Sequence, residues 1–225
     1  MLDQLFSQGQ VWQHHRHSGV PALDTGFEAL NRHLPGGGWP ADGVTEILYP
    51  QMGIGEFSLL LPCLKQLSQQ ERWLIWVAPP WQPNAAALTA AGVDIRRILL
   101  LNPAAGSTQH RDVLWALEES LKSGAAAAVL AWPTHISVPQ TRRLQICANQ
   151  HQVPCFLFKQ QALNQTPLAT PCALRLRVKP VTNTAIEIDI LKQRQGWPSP
   201  PFPVVIKRFT PFRYTYPETV KPDTR

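Results

Sequence analysis

Short apolar runs that alternate with amphipathic runs constrain the fold of this chain more than any other feature. The strand-like runs lie at 44–49, 73–78, 98–102, 126–132 and 154–158. The helix-like runs lie at 57–69, 84–91, 109–122 and 138–150. Strands that are apolar on both faces and separated by helices predict an α/β core, in which a parallel sheet is covered by helices on both faces.

The last part of the chain follows a different pattern. The segments "ALRLRVKP", "TAIEIDILKQRQG" and "FPVVIKRF" alternate apolar and polar residues with period two, which predicts antiparallel C-terminal strands on the sheet edge. The 225 residues are enough for one generous domain. We expect an N-terminal arm at 1–20, a single α/β domain at 21–210, and a Pro-rich, basic and aromatic tail at 211–225.

The stretch "YPQMGIGEFSLLLP" lies where a nucleotide-binding loop is expected, between a strand and a helix. Such a loop uses glycine backbone N–H groups, a lysine for the β and γ phosphates, and a hydroxyl for Mg²⁺. Gly53 and Gly55 are present, but Glu56 takes the lysine position and Phe57 the hydroxyl position, with Ser58 one residue further on. A carboxylate so close to a triphosphate would repel it.

The other two elements of a nucleotide site are missing as well. The strand that should end in a metal-binding acid ends in Ala131 and Trp132. No carboxylate lies between Glu71 and Asp94 to activate a water molecule. The loss of all three elements predicts a degenerate nucleotide site and no ATPase activity. We expect no cofactor, and no metal because the four cysteines are dispersed.

Several segments resemble parts of the RecA-type ATPase core. They are "VPALDTGFEALNRHLPGGGWPADGVTEIL", "GVDIRRILLLNP" and "AIEIDILKQRQGWPSPPFPVVI". The version with "LPGGGWP" and no catalytic residues resembles the ImuA family, over roughly residues 10–208. This resemblance implies a RecA-like, P-loop NTPase-type fold and a non-catalytic accessory role in SOS-induced, error-prone translesion DNA synthesis. The implied partners are ImuB (an inactive Y-family polymerase homologue), an error-prone C-family polymerase, and RecA.

A second family resembles a shorter stretch of the chain. The segments "GVTEILYPQ" and "LLLPCLKQLSQQERWLIWVAPP" are similar to SulA, the SOS inhibitor of the tubulin-like division GTPase. SulA-like chains are shorter and lack both the "TGFEALNRHLPGGGWP" segment and the late strand pair. We therefore favour ImuA and keep SulA-like inhibition of cell division as the alternative. A divergent RecA-like ATPase is a second alternative.

The charge is distributed unevenly along the chain. Residues 1–119 hold seven Lys and Arg against eleven Asp and Glu, whereas residues 120–225 hold fourteen against four. This asymmetry favours an anionic partner, either DNA in a weak contact or an acidic protein surface. The candidate basic surface consists of Arg142 and Arg143 on a predicted helix and of Arg175, Arg177 and Lys179 at alternating positions of a predicted strand.

The tail interleaves cations with aromatic residues, a composition that stacks on bases or docks on a partner protein. The residues concerned are Lys207, Arg208, Phe209, Phe212, Arg213 and Tyr214. We therefore predict that the tail is a docking element. The chain has no apolar run of membrane-spanning length and no signal-peptide pattern, so we expect a cytoplasmic protein without a membrane partner.

Overall fold

The computed structural model describes residues 20–103, 106, 109–166, 168–196, 199–207 and 212–213. The predicted N-terminal arm, except for Val20, and the predicted tail, except for Phe212 and Arg213, lie outside the described residues. Arg208, Phe209 and Tyr214 lie outside them as well. The proposed boundaries of the arm and the tail therefore stay predictions.

The strands of the described chain are β1 (Ala22–Leu23), β2 (Trp39–Pro40), β3 (Gly43–Tyr49), β4 (Trp73–Val77), β5 (Gln82–Pro83), β6 (Ile98–Leu101), β7 (Ala126–Ala131), β8 (Pro154–Gln160), β9 (Leu174–Pro180), β10 (Ala185–Gln193), β11 (Phe202–Val205) and β12 (Phe212–Arg213). The α-helices are α1 (Glu28–Asn31), α2 (Leu61–Leu67), α3 (Ala85–Ala90), α4 (Gln109–Lys122) and α5 (Val138–His151). Single 3-10 turns lie at Pro35–Gly37 and Ile95–Arg97.

Eight strands form one mixed sheet in the order β11-β10-β9-β3-β8-β7-β4-β6. The strands from β9 to β6 in this order pair in parallel, whereas β9, β10 and β11 pair antiparallel. Strand β3 lies between β8 and β9, and all seven of its residues are buried. The sheet thus consists of a parallel part and an antiparallel part that meet at β3 and β9.

Helices cover both faces of this sheet. Leu74 and Trp76 of β4 point into the core that includes residues of α1, α2 and α3, whereas Ile75 and Val77 point into the core beneath α4 and α5. Both faces of the inner strands are apolar for this reason. The five strands and the two long helices predicted from the sequence are confirmed, each to within two residues at either end.

The helix predicted at 57–69 begins later than expected. A helix starting at Phe57 would place Pro62 in its interior, where proline has no N–H to donate and clashes with the preceding turn. The chain instead forms turns up to Leu60, and Pro62 lies in the first turn of α2. No helix follows directly on the glycine loop, which contradicts the P-loop part of the predicted fold.

A buried ion cluster joins the two parts of the sheet. The side chain of Glu46, in the middle of β3, is completely buried. Its Oε2 accepts hydrogen bonds from Arg175 Nε at 2.6 Å and Thr170 Oγ1 at 2.7 Å, and its Oε1 accepts from Lys159 Nζ at 3.1 Å. Arg175 also donates to the carbonyl of Leu168. The cluster therefore connects β3, β8, β9 and the segment that leads into β9.

The cations of β9 do not form the predicted basic surface. Arg175 is buried in the ion cluster. Lys179 Nζ lies 2.9 Å from Glu187 Oε1, and Arg177 lies opposite Asp189 in the antiparallel register of β9 and β10. Each of these three cations lies beside an acid on a neighbouring strand, a pairing that local periodicity could not reveal. The strand consequently offers little net charge to an anionic partner.

None of the described helices is long and apolar enough to cross a membrane. The described residues also contain no group of three or more His, Cys, Asp and Glu side chains that could hold a metal ion.

We predict that replacing Glu46 by Gln lowers the free energy of unfolding by about 3–5 kcal/mol at neutral pH, because Arg175 and Lys159 then lose their buried counter-charge. Burial alone would raise the pKa of Glu46, but Lys159, Arg175 and Thr170 together hold it below its ordinary value. A lowered carboxyl pKa stabilises the fold at neutral pH and loses that effect as pH falls through the folded-state pKa. The difference between wild type and E46Q in urea titrations should stay constant from about pH 7 to about pH 5.5 and shrink as pH falls below about 4.5.

The matched control is Glu187→Gln, which breaks the partly exposed pair with Lys179. We expect it to cost less than about 1 kcal/mol. Equal costs for the two variants, or a difference for E46Q that does not change with pH, would contradict the assigned role of Glu46.

Candidate interaction surface

The glycine loop before α2 is closed by its own carboxylate. Glu56 is buried, and its Oε1 accepts the N–H of Gly53 at 3.0 Å while its Oε2 accepts the N–H of Gly55 at 3.1 Å. Gly55 has φ +108°, and a Cβ there would lie 2.0 Å from Cδ1 of Ile206, so only glycine fits. Backbone N–H groups that a phosphate would need are therefore occupied within the loop.

The electrostatics of this loop also disfavour an anion. Burial raises the pKa of Glu56, although backbone N–H groups partly oppose the rise. Burial together with the nearby Glu56 carboxylate raises the pKa of Tyr49 to about 12. A second negative charge would thus enter a site in which one carboxylate is already poorly solvated.

Aromatic rings fill the space at the carboxyl ends of the parallel strands. The ring of Phe57 lies 5.3 Å from that of Trp76, 6.3 Å from that of Trp132 and 5.9 Å from that of Phe158. Trp132 and Phe158 stack at 4.9 Å with an interplanar angle of 7°. Ligands of open α/β sheets usually bind in a crevice at this edge. Here Phe57 and Trp132 occupy that space as packing residues.

The remaining predicted site residues lie apart from one another. Ser58 is buried in the turns before α2, and Ala131 is buried as the last residue of β7. Lys207 is exposed after β11. Phe212 and Arg213 form β12, which pairs antiparallel with β5. The docking role of the tail stays a prediction.

Helices α4 and α5 pack side by side on one face of the sheet and present a surface to solvent. Helix α5 begins at Ser137, whose side chain forms a capping box with Gln140. The inward-facing residues of α5 include Leu144 and Ala148, so Arg142 and Ile146 point outward. We call the exposed surface formed by Trp115, Val138, Arg142, Arg143 and Ile146 the outer face.

The outer face combines large apolar side chains with arginines. Trp115 of α4 is 66% exposed and Ile146 of α5 is 59% exposed. Arg143 Nη2 lies 2.6 Å from Glu118 Oε2, and this ion pair joins the two helices. Arg142 and Arg143 are thus both exposed on α5, apart from the β9 cations, and their role in binding DNA or a protein stays a prediction. Exposed aromatic and arginine side chains are typical of protein-binding sites.

Sequence reasoning missed Trp115 and Ile146 as members of this surface. The helical period of the sequence does indicate that these two side chains point away from the core. In α4 the buried positions Val113, Leu117 and Leu121 recur at i, i+4 and i+8, and Trp115 falls on the opposite side of the helix. Ile146 likewise lies on the outward side of α5, opposite the buried Leu144 and Ala148. Only the side-by-side packing of the two helices shows that both residues lie on one surface.

Comparison with known proteins relates the chain to a family of division inhibitors. Residues 43–153 match the sequence model of the family described as "Cell division inhibitor SulA". SulA of Edwardsiella piscicida is 29% identical over 115 residues, which cover 51% of this chain and 66% of that protein. SulA of Yersinia pestis is 27% identical over 135 residues, which cover 60% of this chain and 77% of that protein. The chain thus spans just under two thirds of the Edwardsiella relative.

Among solved structures, that of SulA from Pseudomonas aeruginosa matches with a TM-score of 0.44 and 27% identity, covering 52% of this chain and 98% of that one.

These matches correct the interpretation of the sequence. The assignment of a RecA-like P-loop core is wrong, because residues 43–153 match the SulA family; the described strands and helices form a mixed sheet covered on both faces. The ImuA-based function in translesion synthesis is wrong for the same reason. So is the prediction of ImuB and C-family polymerase partners, since the relatives are named division inhibitors. The resemblance of part of the chain to SulA is confirmed, over residues 43–153.

We predict that Mg·ATP does not stabilise this protein, because Glu56 occupies the loop N–H groups and Phe57 fills the adjacent space. A ligand at about 100 times its Kd would stabilise the fold by about 2.7 kcal/mol, or roughly 5–11 °C in Tm at this chain length. The Tm measured with millimolar Mg·ATP should equal the Tm measured with Mg²⁺ alone. A rise of several degrees that disappears in a Gly53→Val variant would refute the prediction.

Proposed function

We propose that this protein is a SulA-type inhibitor of bacterial cell division, made in the SOS response, and that it acts by binding the tubulin-like division GTPase. The observation that carries the proposal is the match of residues 43–153 to the SulA family. The relatives from Edwardsiella and Yersinia, both named cell division inhibitors, support it. The proposed activity is binding and requires no catalytic group.

The outer face is the part of the structure that suits this function best. All its residues, from Trp115 to Ile146, fall within the residues matched to SulA. It consists of exposed side chains on two neighbouring helices, an arrangement that suits a protein partner better than a small molecule. The closed loop before α2 has its N–H groups and its aromatic space filled, so we place the partner on the opposite face of the sheet.

A binding inhibitor of this kind acts in proportion to its concentration. If a GTPase subunit bound to the outer face cannot enter a filament, each inhibitor molecule removes one subunit from polymerisation. Mass action then requires the inhibitor to reach a concentration comparable to that of the GTPase. Induced, high-level synthesis of the inhibitor after DNA damage would meet this requirement.

We predict that inducing the protein in a rod-shaped bacterium makes the cells filamentous and that the purified protein reduces sedimentation of GTPase polymers. The double variant Trp115→Ala, Ile146→Ser should lose both effects, with binding at least about tenfold weaker, because each truncation of a central apolar anchor costs on the order of 1–3 kcal/mol. Binding can be measured by biolayer interferometry with the purified GTPase.

The matched control is the double variant Leu168→Ser, Val205→Ser. These side chains are 78% and 76% exposed and lie outside residues 43–153, so the variant should inhibit like wild type. A folded Trp115–Ile146 variant that still causes filaments would move the binding site elsewhere. A wild-type protein that neither binds the GTPase nor causes filaments would refute the proposed function.

A further inference from the structure

An open depression of about 540 Å³ adjoins the outer face, between α5 and the turn that follows β10. Its lining residues are Gln145, Ile146, Asn149, Gln150 and Arg194. Four of them belong to α5, and Arg194 comes from beyond the segment that matches SulA. We call this feature the α5 depression.

Glycine at position 43 allows the floor of the depression to form. Gly43 has φ +86°, and a Cβ there would lie 2.5 Å from Nε2 of Gln145. Because Gly43 has no Cβ, the side chain of Gln145 can approach β3. There Gln145 Oε1 accepts a hydrogen bond from the N–H of Val44 at 2.8 Å. The N–H of Arg194 donates to the carbonyl of Ala173 at 2.8 Å, which fixes the opposite wall.

The oxygen acceptors around the depression are largely used within the protein. Gln145 Oε1 accepts from Val44, and Asn149 Oδ1 accepts from Gln145 Nε2 at 2.8 Å and from Arg194 Nη2 at 2.6 Å. Asp42 Oδ1 accepts from Arg194 Nη1 at 3.2 Å. A guanidinium carries five N–H donors, and an amide carries two. The lining therefore presents mainly donors to whatever enters the depression.

The charged residues around the depression, like its hydrogen-bond donors, favour an anion. Helix α5, "VPQTRRLQICANQH", contains no acid. Arg142, one turn before Ile146, makes no ion pair with any described residue, and the nearby Glu118 is engaged by Arg143. The acid beside the lining, Asp42, is already paired with Arg194, so the donors of the lining and the positive charge of Arg142 favour a carboxylate over a cation.

We propose that the α5 depression is a subsite that binds a partner segment presenting a carboxylate next to an apolar side chain. The carboxylate accepts hydrogen bonds from Arg194 and from the amide groups of Asn149 and Gln150, and the apolar side chain covers Ile146. The inference rests on the proposed function, with the division GTPase as the partner. DNA would supply anions too, but it would leave the large exposed surface of Ile146 without an apolar partner.

The experiment changes the charge of the lining without removing a bond that the structure contains. Gln150→Glu places a carboxylate in the depression and Gln150→Lys places a cation there; Gln165→Glu is the matched control on an exposed residue outside both α5 and residues 43–153. Binding of the purified GTPase is measured by biolayer interferometry in about 50 mM and about 300 mM NaCl, conditions that differ strongly in screening.

We expect Q150E to weaken binding at least about tenfold in low salt and much less in high salt, and Q150K to strengthen it. Q165E should bind like wild type. If wild type binds the GTPase but Q150E and Q150K bind equally well, the subsite is wrong and the proposed function stands. If wild type does not bind the GTPase, both fall. Binding of a short DNA duplex is measured in the same way. If Q150E changes DNA binding but not GTPase binding, the depression binds nucleic acid and the proposal is overturned.

Discussion

The buried carboxylate of Glu46 determines how the rest of the sheet is assembled. An unpaired carboxylate in this position would cost several kcal/mol, so the chain must bring cations and donors to it. Its partners Lys159, Thr170 and Arg175 all come from beyond residue 153, where the match to the SulA family ends. A residue inside the matched segment thus depends on residues outside it for neutralisation. Strand β9, with the segment that leads into it, is for this reason a part of the fold that the SulA-like segment requires, and not an appendage to it.

The same pairing changes the meaning of the basic second half of the chain. Part of that charge is balanced internally, because β9 places its cations beside acids of β3 and β10. Helix α5 contains no acid, and its Arg142 makes no ion pair with any described residue. Among the described elements, α5 therefore gives the outer face a local positive charge. This location favours a protein partner, since the exposed Trp115 and Ile146 lie on the same helical layer.

Local patterns in the sequence predicted the local structure well and the long-range structure poorly. Apolar runs and helical periods located the inner strands, α4 and α5. Burial on one or two faces determines which neighbouring residues are apolar, so these elements can be recognised from a short stretch of sequence. The start of α2 was missed although Pro62 marks it. The pairing of Arg177 with its neighbours depends on the register between β9 and β10, and Glu46 meets partners more than a hundred residues away, so neither follows from periodicity. The family was misassigned because the interpretation gave most weight to segments that lie largely outside residues 43–153, while the matched segment itself carries the relation to SulA.

The closed loop and the outer face are connected through the polypeptide that links β7 to α5. Trp132 follows β7 directly, and its stacking on Phe158, together with its contact with Phe57, holds the start of this connection in place. Five residues later Ser137 caps α5, so the position of that helix depends on where the connection begins. Trp132 therefore does not line a ligand crevice at the edge of the sheet. It helps instead to fix α5, the helix that carries Arg142 and Ile146 on the other side of the sheet. Filling the crevice therefore helps to position the outer face, and a surface that is positioned before binding loses less conformational entropy when it binds a partner.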